Sequence, residues 1–328
     1  MIFRQFFDST SSTYTYLISS GHGREALIID PVLEKTDQYI NLVNQLNLRL
    51  VKVIDTHIHA DHISGLAELR NKTKCITVMG ENAPADVVSM NVKDNEKISI
   101  ENIDLTALYT PGHTDDSYSF LMNDRVFTGD TLLIKGTGRT DFQNGNPYDQ
   151  YYSLFDRLLK LPEETFIYPA HDYKGESVST IGEEKNFNPR LQVNSAQEYA
   201  LIMNNLNLAN PKMMDIAVPE NKNLGFNREK QKNLNGISYD RLKNLSESDE
   251  VLLIDLRETT EIKMKPSLLN SINIPYSNLQ EYLRKKELTN KTLIFYCAVG
   301  ERSALAIQIS QSYQLKQTYH LVGGLNNL

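Results

Sequence analysis

Three histidines and an aspartate fall within six residues, His57-Ile58-His59-Ala60-Asp61-His62, directly after the apolar run Leu50-Val51-Lys52-Val53-Ile54. A strand that stops at such a cluster delivers nitrogen and oxygen donors to one point at the rim of a sheet, as a metal site requires. A turn that is His-rich by accident would need three of only seven histidines in 328 residues to land in six positions. The pattern also recurs. His113 follows Leu105-Thr106-Ala107-Leu108, Asp130 follows Arg125-Val126-Phe127, and His171 follows Thr165-Phe166-Ile167. Each ends a β-branched or aromatic run and opens a Gly- or Pro-marked turn. From residue types alone the set suits a dinuclear hydrolase. His57, His59 and His113 would serve one metal and Asp61, His62 and His171 a second, with Asp130 between them. Two Zn²⁺ would then lower the pKa of a bridging water.

A second chemistry sits near the C-terminus, in Cys297-Ala298-Val299-Gly300-Glu301-Arg302-Ser303, between an apolar strand and a helical pattern. A thiolate there would meet backbone N–H groups and the positive end of a helix dipole. A loop curled around the sulfur, opened by Gly300, could cradle an attached sulfur atom. Arg302 would add a fixed positive charge for an anionic sulfur donor. Cys75, inside Lys74-Cys75-Ile76-Thr77-Val78, has no such helpers and reads as a structural strand cysteine.

The elements that must position these groups follow from periodicity. Thr13 to Ser19 and Glu25 to Asp30 read as strands, and Tyr39, Val43 and Leu46 recur at helical spacing. Leu66 and Leu69 mark a helix after the histidines, and Asp149 to Leu161 a second one, with Leu154, Leu158 and Leu161 on one face. Two groups of strands flanked by helices predict an αββα sandwich with the metal at one sheet edge. The polar, Pro- and Gly-punctuated stretch 211–235 places a linker at 226–236, between domains 1–225 and 237–328. In the last part Val251 to Arg257, Thr292 to Tyr296 and Thr318 to Val322 read as strands, and Leu279, Tyr282, Leu283 and Ser303 to Tyr313 as helices. That alternation predicts a small parallel α/β domain.

Composition sets the outer limits. The apolar fraction is 40%, the charged fraction 23% and the net charge −7. Neither part carries a basic stripe, which argues against nucleic acid or an anionic membrane as partner. No apolar stretch approaches spanning length, and Met1 to Asp8 lacks the h-region of a signal peptide. Two cysteines in so long a chain fit a reducing cytoplasm. The sequence leaves the oligomeric state open, a homo-oligomer included.

Residues 1–225 resemble the metallo-β-lactamase fold and, within it, the persulfide dioxygenases. The resemblance rests on Leu27-Ile28-Ile29-Asp30-Pro31-Val32, the His57–His62 cluster, Pro111-Gly112-His113-Thr114, Phe127-Thr128-Gly129-Asp130, Gly138-Arg139-Thr140-Asp141-Phe142-Gln143, Tyr168-Pro169-Ala170-His171-Asp172-Tyr173 and Asn188-Pro189-Arg190-Leu191. Residues 237–328 resemble a single rhodanese domain through Ile254-Asp255-Leu256-Arg257-Glu258, Ile272-Asn273-Ile274-Pro275, the Cys297–Ser303 loop and Leu321-Val322-Gly323-Gly324. Pro266-Ser267-Leu268-Leu269-Asn270 replaces the usual Gly-His-Ile of that pattern, and its closing helix is absent or minimal. These resemblances imply one Fe(II) per chain on His57, His113 and Asp130, with His59, Asp61, His62 and His171 off the metal. Two histidines and one carboxylate leave open positions for O₂ chemistry. The implied reaction oxygenates a glutathione-type persulfide to sulfite and thiol, with Arg139, Tyr173 and Arg190 holding the body of the substrate. Cys297 would carry sulfane sulfur, with thiosulfate or sulfite as the other partner. The dinuclear thioester hydrolase, paired with a sulfur-relay module, remains the alternative.

Overall fold

The computed structural model describes residues 1–328 apart from 84–87, 227, 247, 249, 286, 287 and 289. It divides into two compact units, one formed mainly by residues 1–222 and the other mainly by 223–328.

The first unit is built on two six-stranded sheets. One takes its strands in chain order: β1 (Ile2–Asp8), β2 (Thr13–Ser19), β3 (Glu25–Ile29), β4 (Arg49–Ile54), β5 (Ile76–Gly80) and β6 (Met90–Val92). The other comprises β7 (Lys97–Ile100), β8 (Ile103–Tyr109), β9 (Tyr118–Leu121), β10 (Arg125–Gly129), β11 (Phe166–Pro169) and β12 (Ser179–Thr180), again side by side in sequence order. The strands are rich in β-branched and aromatic residues, and β2 is buried along its whole length, as a strand covered on both faces must be. Phe3 and Tyr16 from the first sheet meet Phe127 and Tyr168 from the second, with Tyr16 and Phe127 ring centroids 5.0 Å apart. Helices cover the outer faces. Leu154, Leu158, Ile181 and Tyr199 pack with Leu108, Val126 and Ile167 of the second sheet. This is the αββα sandwich that the sequence predicts.

Two parallel pairings bring candidate ligands together, because parallel strands end side by side. β3 pairs with β4, so Asp30 and Asp55 leave their strands together. β10 pairs with β11, Gly129 against Pro169, so Asp130 and His171 do the same.

The expected single helix over 149–161 is broken into an α-helical turn at Pro147–Tyr152, a π turn at Ser153–Arg157 and a 3₁₀ turn at Leu158–Lys160. Its start is fixed by Asn146, whose side chain accepts from the Tyr148 and Asp149 amides, with Pro147 in the first position. The stretch 211–235 holds helices at Met214–Lys222 and Arg228–Lys232. Apolar spacing did not announce either, since both are short and polar.

The second unit carries a five-stranded parallel sheet ordered β13 (Gly236–Ile237), β17 (Thr318–Leu321), β16 (Thr292–Tyr296), β14 (Val251–Asp255) and β15 (Ser271–Asn273). Cys297 follows β16 directly, and the helix Glu301–Ser312 follows the loop. No helix among the described residues is long and apolar enough to cross a membrane.

Candidate metal centre and cysteine loop

The donors predicted from sequence converge. His57, His113 and Asp130 form one group whose ligand atoms lie within 4.8 Å of one another. His59, Asp61, His62 and His171 form a second, and Asp30, Asp55 and His59 a third.

Hydrogen bonding fixes which atom each residue of the first group presents. His113 Nδ1 lies 2.7 Å from the Arg139 carbonyl, an acceptor only, so Nδ1 carries the proton and Nε2 offers its lone pair. Thr56 Oγ1 donates to Asp30 Oδ2 at 3.1 Å and therefore accepts from His57 Nδ1 at 2.9 Å, which leaves His57 Nε2 open as well. Burial, reinforced by the neighbouring His59 and His113, holds the His57 imidazolium well below its ordinary range, so the ring is neutral, as a ligand must be. Asp130 is buried, which alone would raise its pKa. The His171, His113 and His57 rings outweigh that and keep the carboxyl ionised, below its usual range.

His171 stands differently. Its Nδ1 bonds Asp130 Oδ1 at 2.7 Å and its Nε2 bonds Asp61 Oδ2 at 2.8 Å. Burial opposes a charge on this ring, yet the two carboxylates raise it well above the ordinary histidine range. Both nitrogens are engaged as donors. Asp61 Oδ2 also accepts from Thr13 at 3.2 Å and from His62 Nδ1 at 3.0 Å. His59 Nε2 bonds Asp30 Oδ1 at 3.1 Å. Two imidazole nitrogens of this group, His59 Nδ1 and His62 Nε2, are buried with no hydrogen-bond partner among the described residues. Desolvation pushes Asp30 up to about 6, with His57 and the Thr56 bonds pulling the other way.

Gly138 closes the group from above. Its amide donates to the Asp130 carbonyl at 2.7 Å. A Cβ there would lie 2.2 Å from that oxygen and 2.7 Å from His113 Nδ1. Only glycine fits so close an approach.

The donors floor a cavity of about 780 Å³. Arg139, Tyr173 and Arg190 line it, as the sequence reading expects, together with Lys135, Lys174, Lys212 and Phe142. Arg139 is already committed: its guanidinium pairs with Asp141 and donates to the Leu208 and Ala209 carbonyls, tying the 208–210 segment to the cavity wall. Arg190 donates to Thr137. The exposed Tyr173 ring lies parallel to His171, centroids 6.1 Å apart. Sequence reasoning missed Thr13 and the lysines. Lone residues of common type give no local signal, whereas Asp30, an acid ending an apolar strand, could have been found.

In the second unit Cys297 is buried and accepts the Gly300 amide at 3.2 Å. Gly300 adopts φ +89°, and a Cβ on it would strike Gln231 Oε1 at 2.3 Å. Arg302 does not stand where the sequence reading placed it. Its guanidinium is fully buried and makes two 2.7 Å bonds to Glu261, so it braces the loop from inside and does not face an incoming anion. Its field nevertheless reaches Cys297. Cys75 is buried and outside any disulfide.

The metallo-β-lactamase superfamily model matches residues 9–85 and 79–171, and the rhodanese-like domain model matches 238–328. The human mitochondrial persulfide dioxygenase ETHE1 is 42% identical over 228 residues, covering 69% of this chain and 89% of that protein. The crystal structure of ETHE1 from Myxococcus xanthus superposes with a TM-score of 0.66 at 51% identity, over 68% of this chain and 98% of the other. A metallo-β-lactamase structure from Staphylococcus aureus COL covers 98% of both chains with a TM-score of 0.62 and 24% identity, a likeness of fold alone.

Proposed function

The chain belongs to the persulfide dioxygenase family within the metallo-β-lactamase superfamily, with a rhodanese-like domain fused to it, and from that premise we propose that it oxygenates a glutathione-type persulfide. One persulfide, one O₂ and one water give one sulfite and one thiol. The observation that carries this reading is the separate grouping of His57, His113 and Asp130, two imidazoles whose Nδ1 atoms are held by hydrogen bonds, leaving Nε2 open, beside one ionised carboxylate.

That donor set fits Fe(II), which when bound would supply open coordination positions and the redox chemistry that O₂ activation needs. The rest falls to the chain. His171, as a cation between Asp130 and Asp61, holds the Asp130 carboxylate in one orientation. The Arg139 carbonyl and Thr56 fix the tautomers of His113 and His57. Arg190 and Lys212 have no ion-pair partner among the described residues, and both line the cavity, where they suit the carboxylates of a glutathione body. Tyr173 offers a ring face and a hydroxyl beside them. In the second unit the Cys297 loop would carry sulfane sulfur as a persulfide, exchanging it with thiosulfate or with the same thiol. A cytoplasmic setting suits such a thiol chemistry.

The domain limits at 1–225 and 237–328 belong to the same proposal. The test is an oxygen-electrode run with glutathione persulfide on the metal-replete chain. O₂ uptake matched by sulfite supports the reading. Hydrolysis of a glutathione thioester without O₂ uptake favours the second reading, a dinuclear zinc hydrolase with a sulfur-relay module. The unpartnered His59 Nδ1 and His62 Nε2 are the observation on that side.

A further inference from the structure

Cys297 is the first member of a buried chain of polar atoms that runs away from the loop. Its Sγ donates to Ser303 Oγ at 3.7 Å. Ser303 Oγ lies 3.2 Å from His320 Nδ1, and His320 Nε2 lies 2.8 Å from the Gln231 carbonyl. Cys297, Ser303 and His320 are all fully buried. The tautomer of His320 is settled at its far end, because a carbonyl only accepts. Nε2 therefore carries the proton, and Nδ1 presents a lone pair to Ser303. Gln231 is itself immobilised: its side chain donates to the Phe226 and Val299 carbonyls and accepts from the Gly323 amide.

We propose that Ser303 and His320 form a proton relay that draws the thiol proton off Cys297, with His320 as the terminal base. This rests on the sulfur-transfer reading of the second unit and deepens it. In the resting arrangement the thiol donates to Ser303 and the Ser303 hydroxyl donates to His320. As the Cys297 proton passes to Ser303 Oγ, the Ser303 proton passes to Nδ1. The products are a thiolate and an imidazolium, still bridged by the same hydroxyl, and no electrons change hands. The thiolate then attacks the outer sulfur of thiosulfate. A new S–S bond forms, the old one breaks, and sulfite leaves with the electron pair. When an acceptor thiolate takes the outer sulfur, Cys297 is returned as thiolate and recovers its proton from His320.

The surroundings suit a transient base. Burial holds the His320 imidazolium below its ordinary range, with hydrogen bonds to the Gln231 and Leu321 backbone partly offsetting this. The ring thus rests neutral and takes a proton only as the sulfur gives one up. Two charged groups follow Gly300 in the loop: Arg302, whose charge reaches Cys297 and whose guanidinium is held by Glu261, and buried Glu301, which accepts from Ser89. Ser303 also lies 3.1 Å from the Gly300 carbonyl. Donation there is the competing arrangement, and it leaves Nδ1 without a donor among the described residues.

The direct test needs the intact chain and no sulfur substrate. The rate of iodoacetamide alkylation at Cys297, read by peptide mass, is followed against pH in the wild type, His320→Asn, Ser303→Ala and Ser303→Thr. Asparagine keeps a polar group near Ser303 but cannot take the proton. The relay predicts that His320→Asn and Ser303→Ala slow alkylation near neutral pH about tenfold and move its midpoint upward, with the rate recovered in alkali. Ser303→Thr restores most of the loss. A pH profile unchanged in His320→Asn overturns the relay. Nitrogen-15 spectra of the wild-type histidines supply a check that needs no folded variant: His320 protonated at Nε2 supports it, and at Nδ1 overturns it. A wild type that alkylates as predicted but moves no sulfur from thiosulfate refutes the sulfurtransferase reading and leaves the relay standing.

Discussion

At the scale of single residues, His57 and His113 keep Nε2 open, whereas His171 spends both nitrogens on carboxylates. On the proposed ligand set, His113→Ala removes a nitrogen that would hold the metal and should strip it from the chain. His171→Ala removes only a brace on Asp130 and should keep most of the metal while lowering activity about 10–100-fold. Metal content by mass spectrometry of both variants decides this, and equal loss of metal contradicts the assignment. The sequence made the donors visible because short spacings among rare residue types are local information. It could not assign their hydrogen bonds, because Asp61 meets His171 across 110 positions of chain. Arg302 shows the same limit. The motif places a cation by the sulfur, but its partner Glu261 lies 41 residues upstream, and only folding reveals that the charge is spent there. Glu261→Ala should therefore leave a buried, uncompensated guanidinium and cost the second unit roughly 3–5 kcal/mol. Urea denaturation followed in that unit measures it, and a cost within about 0.5 kcal/mol of zero would show that the pair carries no stability.

At the scale of elements, the site is a property of strand ends. β4, β8, β10 and β11 each release a donor where they stop, and parallel pairing of β10 with β11 sets Asp130 beside His171. Runs of β-branched and aromatic residues made these strands legible: Thr292–Tyr296 and Thr13–Ser19 lie where periodicity puts them. The broken helix over 147–160 was not legible, since a leucine stripe looks the same on α, π and 3₁₀ turns. The turn through Gly138 shows how tightly the loops are fitted to the strand ends. Gly138→Ala puts a methyl group against the Asp130 carbonyl and the His113 ring. It should abolish oxygenation and leave sulfur transfer at Cys297 unchanged. Parallel assays of both activities on one preparation check this, and full oxygenation by the variant would mean that the loop relaxes freely.

At the scale of the whole molecule, fusion puts the proposed persulfide-consuming centre and the proposed persulfide-carrying cysteine on one chain. A covalent tether sets the concentration of one site at the other, on the order of millimolar for a short flexible link. Thiosulfate and thiol should then yield sulfite from both steps. The wild type should outpace an equimolar mixture of the full-length Cys297→Ser and His113→Ala variants at low protein concentration. Equal rates would leave two activities that share a chain without exchange between them. All of this depends on a single mononuclear centre, and metal stoichiometry tests that most directly. Iron and zinc are to be counted in chain that has been reconstituted anaerobically and shown to be active. A mononuclear centre predicts close to one iron per chain, bound by two imidazoles and one carboxylate. Two tightly held zinc ions per chain, in protein that consumes no O₂, would contradict it.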